Sequence, residues 1–230
     1  MNILALDTSM GVCSAAVLRA HGSAQTHLTI REAEMQRGHA EALMPMIEDV
    51  LREGEVEAHD LDLIAATLGP GSFTGVRIAI AAARGLALVS RAKLYGTDSL
   101  TVMARAAFST GLLPKGMYAV AVDARRGMLY LGLYDEAGNR LDGPKLRAPD
   151  DAACRLPEAL CFAVGSGAEA LAEAARVQGR TLTTALPALQ PGGTALAALA
   201  CESEEHMVSL RPLYLRPPDA KPQNDQVERL

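Results

Sequence analysis

The chain has 230 residues, with 22 lysines and arginines against 27 aspartates and glutamates, for a net charge of −5 at neutral pH. That balance argues against a protein that grips a nucleic acid backbone on its own, because phosphate neutralisation needs clustered cations; if RNA is involved, another subunit carries the basic surface. Apolar residues make up 49% of the chain, with no tryptophan and 3% aromatics, so a core of one large domain or two of about 100 residues must pack through small aliphatic side chains.

The opening MNILALD has no basic segment and its apolar run stops at Asp7, which does not read as a signal peptide. No stretch approaches the roughly 20 apolar residues of a membrane span, so a soluble cytosolic protein is expected. Cys13, Cys154, Cys161 and Cys201 lack CxxC spacing, and the first three adjoin apolar runs. They read as reduced cysteines packed as small hydrophobes, with disulfide or metal roles as the alternative.

Asn2 to Leu6 and Val12 to Leu18, separated by DTSMG, form a β-hairpin pattern. Gln25 to Arg31 partly alternates and reads as a third strand. A helix follows over His39 to Arg52, with Leu43, Ile47, Val50 and Leu51 at helical spacing. Pro45 inside it predicts a kink or an irregular first turn. Leu61 to Leu68 reads as a buried strand, LGPGSFTG as a glycine-rich turn, and Val76 to Val89 as an alanine-rich helix. A short strand near Leu94 and Tyr95 precedes a helix through MARAAF, capped by Asp98 or Ser99.

STGLLPKG then marks a boundary between an N-terminal lobe, 1–108, and a C-terminal lobe, 109–218. Beyond it the opening device recurs. MYAVAVD is a strand ending at Asp123, ARRG a turn, MLYLGLY a returning strand, and DEAGN a further turn. Strand, acid, polar turn and strand, met twice, suggest two related halves, although any two hairpins share much of this pattern. A helix near Asp150 to Leu156, a buried strand CFAVG, a helix over Ala168 to Val177 and another starting near Gly193 or Thr194 complete the lobe. The polar segment 219–230 has no periodic apolar face and reads as a disordered tail.

Three places invite a chemical reading. Thr8 and Ser9 can offer hydroxyls and backbone N–H groups to a nucleotide phosphate, with Asp7 holding a hydrated Mg²⁺; the reading in which Asp7 and Ser9 only close the turn by local hydrogen bonds ranks first. GPGSFTGVRIA sets glycines and hydroxyls before a helix, which suits an anion. It is not a Walker A loop, and a tight turn with Ser72 or Thr74 as N-cap ranks first. His39 opens a helix, but a metal pair would need a ligand at i+4, where Leu43 stands. His21, His27, His59 and His206 show no ligand spacing, and no GxSxG elbow or carboxylate pair is visible.

On the helices, Gly75, Ala79 and Ala83 recur at i, i+4 and i+8 as a smooth stripe, and Leu43, Met44, Met46 and Ile47 supply adaptable apolar bulk. The stripe can receive a partner's helix or pack on the chain's own sheet, and one helix can do both with different faces.

Taken together, ILALDTS, GHAEALMPMI, LGPGSFTGVRIAIAAARGLAL, DARRGMLY and RPLYLR resemble the bacterial TsaB family. The resemblance is strongest from Met1 to about Thr101, and GPGSFTGVRIA is its most specific part. It implies an α/β fold of two duplicated lobes, of the actin, sugar kinase and heat-shock ATPase (ribonuclease H-like) type. It implies an accessory, non-catalytic subunit in making threonylcarbamoyladenosine beside the anticodon of tRNAs that read codons beginning with adenine. The implied partners are a catalytic paralog, TsaD, which carries the metal-binding histidine pair, and an ATPase subunit, TsaE. Contact with TsaD would run through the two helices of the first lobe, so Leu43, Met44, Met46, Ile47, Gly75, Ala79 and Ala83 are the expected docking residues. Without the partner the sequence leaves two states open, a homodimer and a monomer, and tRNA is met only through the complex. No cofactor of its own is implied, apart from ATP or ADP at the subunit boundary, with Asp7, Thr8 and Ser9 as a vestigial nucleotide site. The competing reading is a free-standing enzyme, an ATP-dependent phosphotransferase or a metallopeptidase.

Overall fold

The computed structural model describes residues 1–21, 25–113, 115–204 and 209–216; the tail expected over 219–230 and His206 lie outside these residues. The first half contains β1 (Asn2–Asp7), β2 (Val12–His21), β3 (Gln25–Glu34), α1 (His39–Glu53), β4 (Leu63–Thr67), α2 (Phe73–Ser90), β5 (Lys93–Thr97) and α3 (Ser99–Ser109). The second repeats that order with β6 (Tyr118–Asp123), β7 (Leu129–Tyr134), β8 (Arg140–Arg147), α4 (Pro149–Cys154), β9 (Phe162–Val164), α5 (Ala168–Val177), β10 (Thr183–Ala185) and α6 (Gly193–Glu202).

Each half forms a five-stranded sheet, ordered β3-β2-β1-β4-β5 in one and β10-β9-β6-β7-β8 in the other. In both, the three leading strands are antiparallel and the later two join in parallel. The shared order is that of a duplicated unit, and the sequence expectation of two related α/β lobes holds.

Burial on both faces explains the unbroken apolar runs of β1 and β4. Leu4, Leu6, Ile64 and Ala66 face α1 and α2, while Ile3, Ala5, Leu63 and Ala65 face α6. The last helix of each half therefore crosses over. α6 follows β10 in sequence but packs on β1, β2 and β4, and α3 lays Leu100, Met103, Ala104 and Ala107 on Tyr118, Val120, Val122 and Tyr134 of the second sheet. This corrects the expectation that 109–218 is one contiguous lobe, since α6 and Leu210 belong to the packing of the first sheet. Small residues make the crossing possible: a Cβ on Gly193 would stand 2.8 Å from both Ala16 Cβ and Ser14 Oγ.

Several elements differ from expectation. β8 and β10 are strands that the sequence pattern does not announce. α1 runs unbroken through Pro45, and α2 begins three residues earlier than predicted, capped by Ser72 Oγ, which accepts from Gly75 N at 3.2 Å. Asp98 caps α3, with Oδ1 accepting from Thr101 N at 3.0 Å. Cys13 is buried and Cys201, half-buried, packs against the core as expected, but Cys154 and Cys161 are exposed; all four are free thiols. α2 is also long and apolar enough to cross a membrane, with a mean hydropathy of 1.4 over 18 residues. Its buried Gly75, Val76, Ala79, Ile80 and Ala83 account for one face of that apolarity.

Candidate functional site

The turn after β1 is sealed by the loop before α2. Asp7, Thr8 and Ser9 are each 0% exposed. Thr8 Oγ1 donates to Gly75 O (2.6 Å) and accepts from Ala79 N (3.2 Å), so its hydroxyl stands between the two ends of one helical i→i+4 pair of α2. Ser9 O accepts from Ser72 N at 2.7 Å. The approach is so close that glycine is required at two positions, since a Cβ would lie 2.1 Å from Ser9 O at Gly71 and 2.0 Å from Thr8 O at Gly75.

Asp7 is the electrostatic centre of this seal. Its Oδ1 accepts from Ser9 Oγ (2.7 Å), from Ser9 N (3.3 Å) and from Thr67 Oγ1, while its Oδ2 is buried without a hydrogen-bond partner. Burial pushes the carboxyl up to about 6, against the opposing effect of those hydrogen bonds. The Cys13 thiol is likewise pushed up to about 11, by burial and then by the negative charge of Asp7. The expected nucleotide turn is thus brought together as a triplet, but its hydroxyls are used within the chain. The residues present do not fit a phosphate cradle.

The equivalent turn of the second half is open. Asp123 Oδ1 accepts from Arg125 N at 2.8 Å, and Asp123 N donates to Ser166 Oγ at 3.1 Å. Arg125 and Arg126 both take left-handed backbone (φ 63° and 56°) at an exposed tip. The two turns face a cleft of about 580 Å³ between the halves, lined by Ser9, Met10, Ser72, Asp123, Arg125 and Arg216 among others.

No group of three or more His, Cys, Asp or Glu that could hold a metal occurs among the described residues. His39 is spent on structure: Nε2–H donates to Met10 O at 3.1 Å.

The helix pair corrects the expected docking residues. Leu43 and Ile47 are 1% exposed, Ala79 and Ala83 are 0% exposed, and all four lie in the core against the first sheet. Gly75 is buried against Thr8. The small-residue stripe thus faces inward, because Thr8 and β4 need close approach there. Of the seven, Met44 is exposed and Met46 half-buried.

The outward face of α2 is a different set. Thr74, Ala81, Gly85, Leu88 and Val89 are exposed, with Leu88 at 85% and Val89 at 77%, and Ile78 and Ala82 are half-buried beside them. Gly85 meets nothing within 4 Å of where a Cβ would stand. Sequence reasoning missed this face, although the sides of Arg77 and Arg84 mark it as outward.

Comparison with known proteins gives concordant results. Residues 30–203 match the family model of TsaD, tRNA N6-adenosine threonylcarbamoyltransferase. The chain is 30% identical over 232 residues to the tRNA threonylcarbamoyladenosine biosynthesis protein TsaB of Haemophilus influenzae, spanning 94% of each. It is 34% identical over 139 residues to the protein of that name from Escherichia coli, a match spanning 60% of this chain and 57% of that one. YeaZ from Pseudomonas aeruginosa superposes with a TM-score of 0.75 at 30% identity, over 93% of this chain and 99% of that one.

Proposed function

The chain belongs to the TsaB family, and on that premise we propose that it is an accessory subunit in forming the threonylcarbamoyl group on the adenosine next to the anticodon of tRNAs that read codons beginning with adenine. Its part is to bind and position the catalytic paralog TsaD, and it supplies no catalytic group. The work belongs to the cytoplasm, with TsaE in the same assembly and tRNA reached through the complex.

The observation that carries this reading is the outward face of α2. A glycine in the middle of an exposed helix destabilises it by roughly 1 kcal/mol relative to alanine, and inside this chain Gly85 has no neighbour that would explain it. With Ala81 one turn away and Leu88 and Val89 exposed beside it, the face suits a second helix packing at short range. α1 adds exposed Met44 and Pro45, of which methionine adapts readily to a partner's shape. Nucleotide in the assembled complex would meet this chain at the subunit boundary and not at the sealed Asp7 turn.

The test is reconstitution of tRNA threonylcarbamoylation from purified components, with this chain omitted, added, or added as Gly85→Leu. The expected result is loss of modification in the first and third cases. Full modification without this chain would contradict the proposal. A free-standing phosphotransferase or metallopeptidase has less support, since the hydroxyls of Thr8 and Ser9 are internally bonded and His39 is bound to a backbone carbonyl.

A further inference from the structure

The segment 209–216 lies apart from the secondary-structure frame and yet is anchored at each step. Leu210 is 0% exposed within the first core, and its carbonyl accepts from Arg84 Nη2. Leu213 N donates to Leu68 O at 2.6 Å. The Tyr214 ring stacks on Phe73 with centroids 5.3 Å apart, and its hydroxyl accepts from Arg77 Nε at 2.8 Å. The Arg77 guanidinium in turn lies 3.6 Å over the centre of the Phe73 ring. All of these anchors belong to the first half.

The last anchor does not. Arg216 Nη2 donates to Ala124 O (2.9 Å) and to Arg125 O (3.2 Å), both in the turn at the tip of the β6–β7 hairpin, and Arg216 lines the cleft between the halves. One guanidinium thus holds two carbonyls on the opposite wall. Both bonds leave the one nitrogen, Nη2, whose two N–H donors are divided between the two carbonyls, and the permanent charge of the guanidinium strengthens each. The turn it grips takes left-handed backbone at two non-glycine residues, Arg125 and Arg126, a conformation that persists only where the surroundings hold it.

We propose that residues 209–216 are a clasp that fixes the opening of the cleft, with Arg216 as its closing contact. A second cross-cleft bond runs from Gly11 N to Gln190 Oε1 at 3.1 Å, so both walls report on opening. This role does not depend on which partner docks on α2.

The test is hydrogen–deuterium exchange on the full chain as wild type, Arg216→Ala and Arg216→Lys. In Arg216→Ala, amides of residues 9–11 and 123–127 are expected to exchange roughly tenfold faster, as suits loss of a charged hydrogen bond that gates a local opening. Amides of β1 and β4 should be unchanged, and Arg216→Lys should fall between. Exchange at both cleft walls equal to wild type in Arg216→Ala would overturn the proposal, as would a rise spread evenly over both sheets.

Discussion

The two halves share an element order and a strand order, yet their first turns have opposite fates. The turn at Asp7 is closed over by a loop whose Gly71 and Gly75 admit backbone contact, and every residue of its DTS triplet is inaccessible. The turn at Asp123 meets the short loop around Ser166 and the Arg216 guanidinium, and keeps Arg125 and Arg126 in solvent. Both turns border the cleft, but the same strand–acid–turn–strand pattern has a buried triplet in one half and an exposed tip in the other. What packs on the turn decides its role, and the turn's own residues do not.

That contrast can be broken most severely at the glycines. Gly75→Ala forces a Cβ to within 2.0 Å of Thr8 O and is expected to destabilise the chain by about 3 kcal/mol, lowering Tm by roughly 6–12 °C for a chain of this size. At Gly167, the N-cap of α5 beside the Asp123 turn, the nearest backbone atom is Val122 C at 3.0 Å and the closest contact is the movable Leu129 side chain. Gly167→Ala should cost less than half as much by thermal melting. Equal losses at the two sites would show that the halves are sealed alike.

Asp7 sharpens the comparison through pH. Its carboxyl is raised in the folded state from 3.8 to about 6, so between those values the folded chain holds a proton that the unfolded chain has released. Stability from this group is therefore fully present below about pH 4 and is lost as pH rises through 6, by about 3 kcal/mol in all. In Asp7→Asn that term disappears. The stability of the variant relative to wild type should climb between pH 4 and 7, whatever the constant offset from the new amide. Denaturant titrations of the two proteins across that pH range read the difference directly.

A smaller effect of opposite sign is expected on the outer face of α2. Gly85→Ala should stabilise the isolated chain by roughly 0.5–1 kcal/mol, because the helix gains propensity and nothing stands in the way of the methyl group. A loss of stability would mean that Gly85 is held by contacts within the chain.

Much of this fold was legible in the sequence. The runs NILAL and VCSAAVL gave the first hairpin, and the spacing of Leu43, Ile47 and Val50 gave α1. β8 escaped because RLDGPKLR has no buried face and carries Pro144, as edge strands do. β10 is a three-residue edge strand of TTA, too short to show a period. The crossing of α6 to the other half was invisible, since an apolar helix does not say which sheet it covers.

The outward face of α2 escaped for a more instructive reason. α2 carries small residues on both sides, with Ala79 and Ala83 inward and Ala81 and Gly85 outward. Spacing alone cannot separate the two stripes. Arg77 and Arg84, both exposed, could have done so, because a guanidinium left facing the sheet would be desolvated without compensation.

Whether that outward face receives the proposed partner is tested most directly by titration calorimetry of TsaD into wild type, Gly85→Leu and Gly85→Ala. A leucine at Gly85 fills the space a partner's helix would occupy without touching this chain's core, so affinity should fall at least about tenfold while the melting temperature stays at or above that of wild type. Gly85→Ala should lose less affinity while gaining stability, which separates docking from folding within one position. Wild-type affinity in a folded Gly85→Leu protein would show that the partner docks elsewhere.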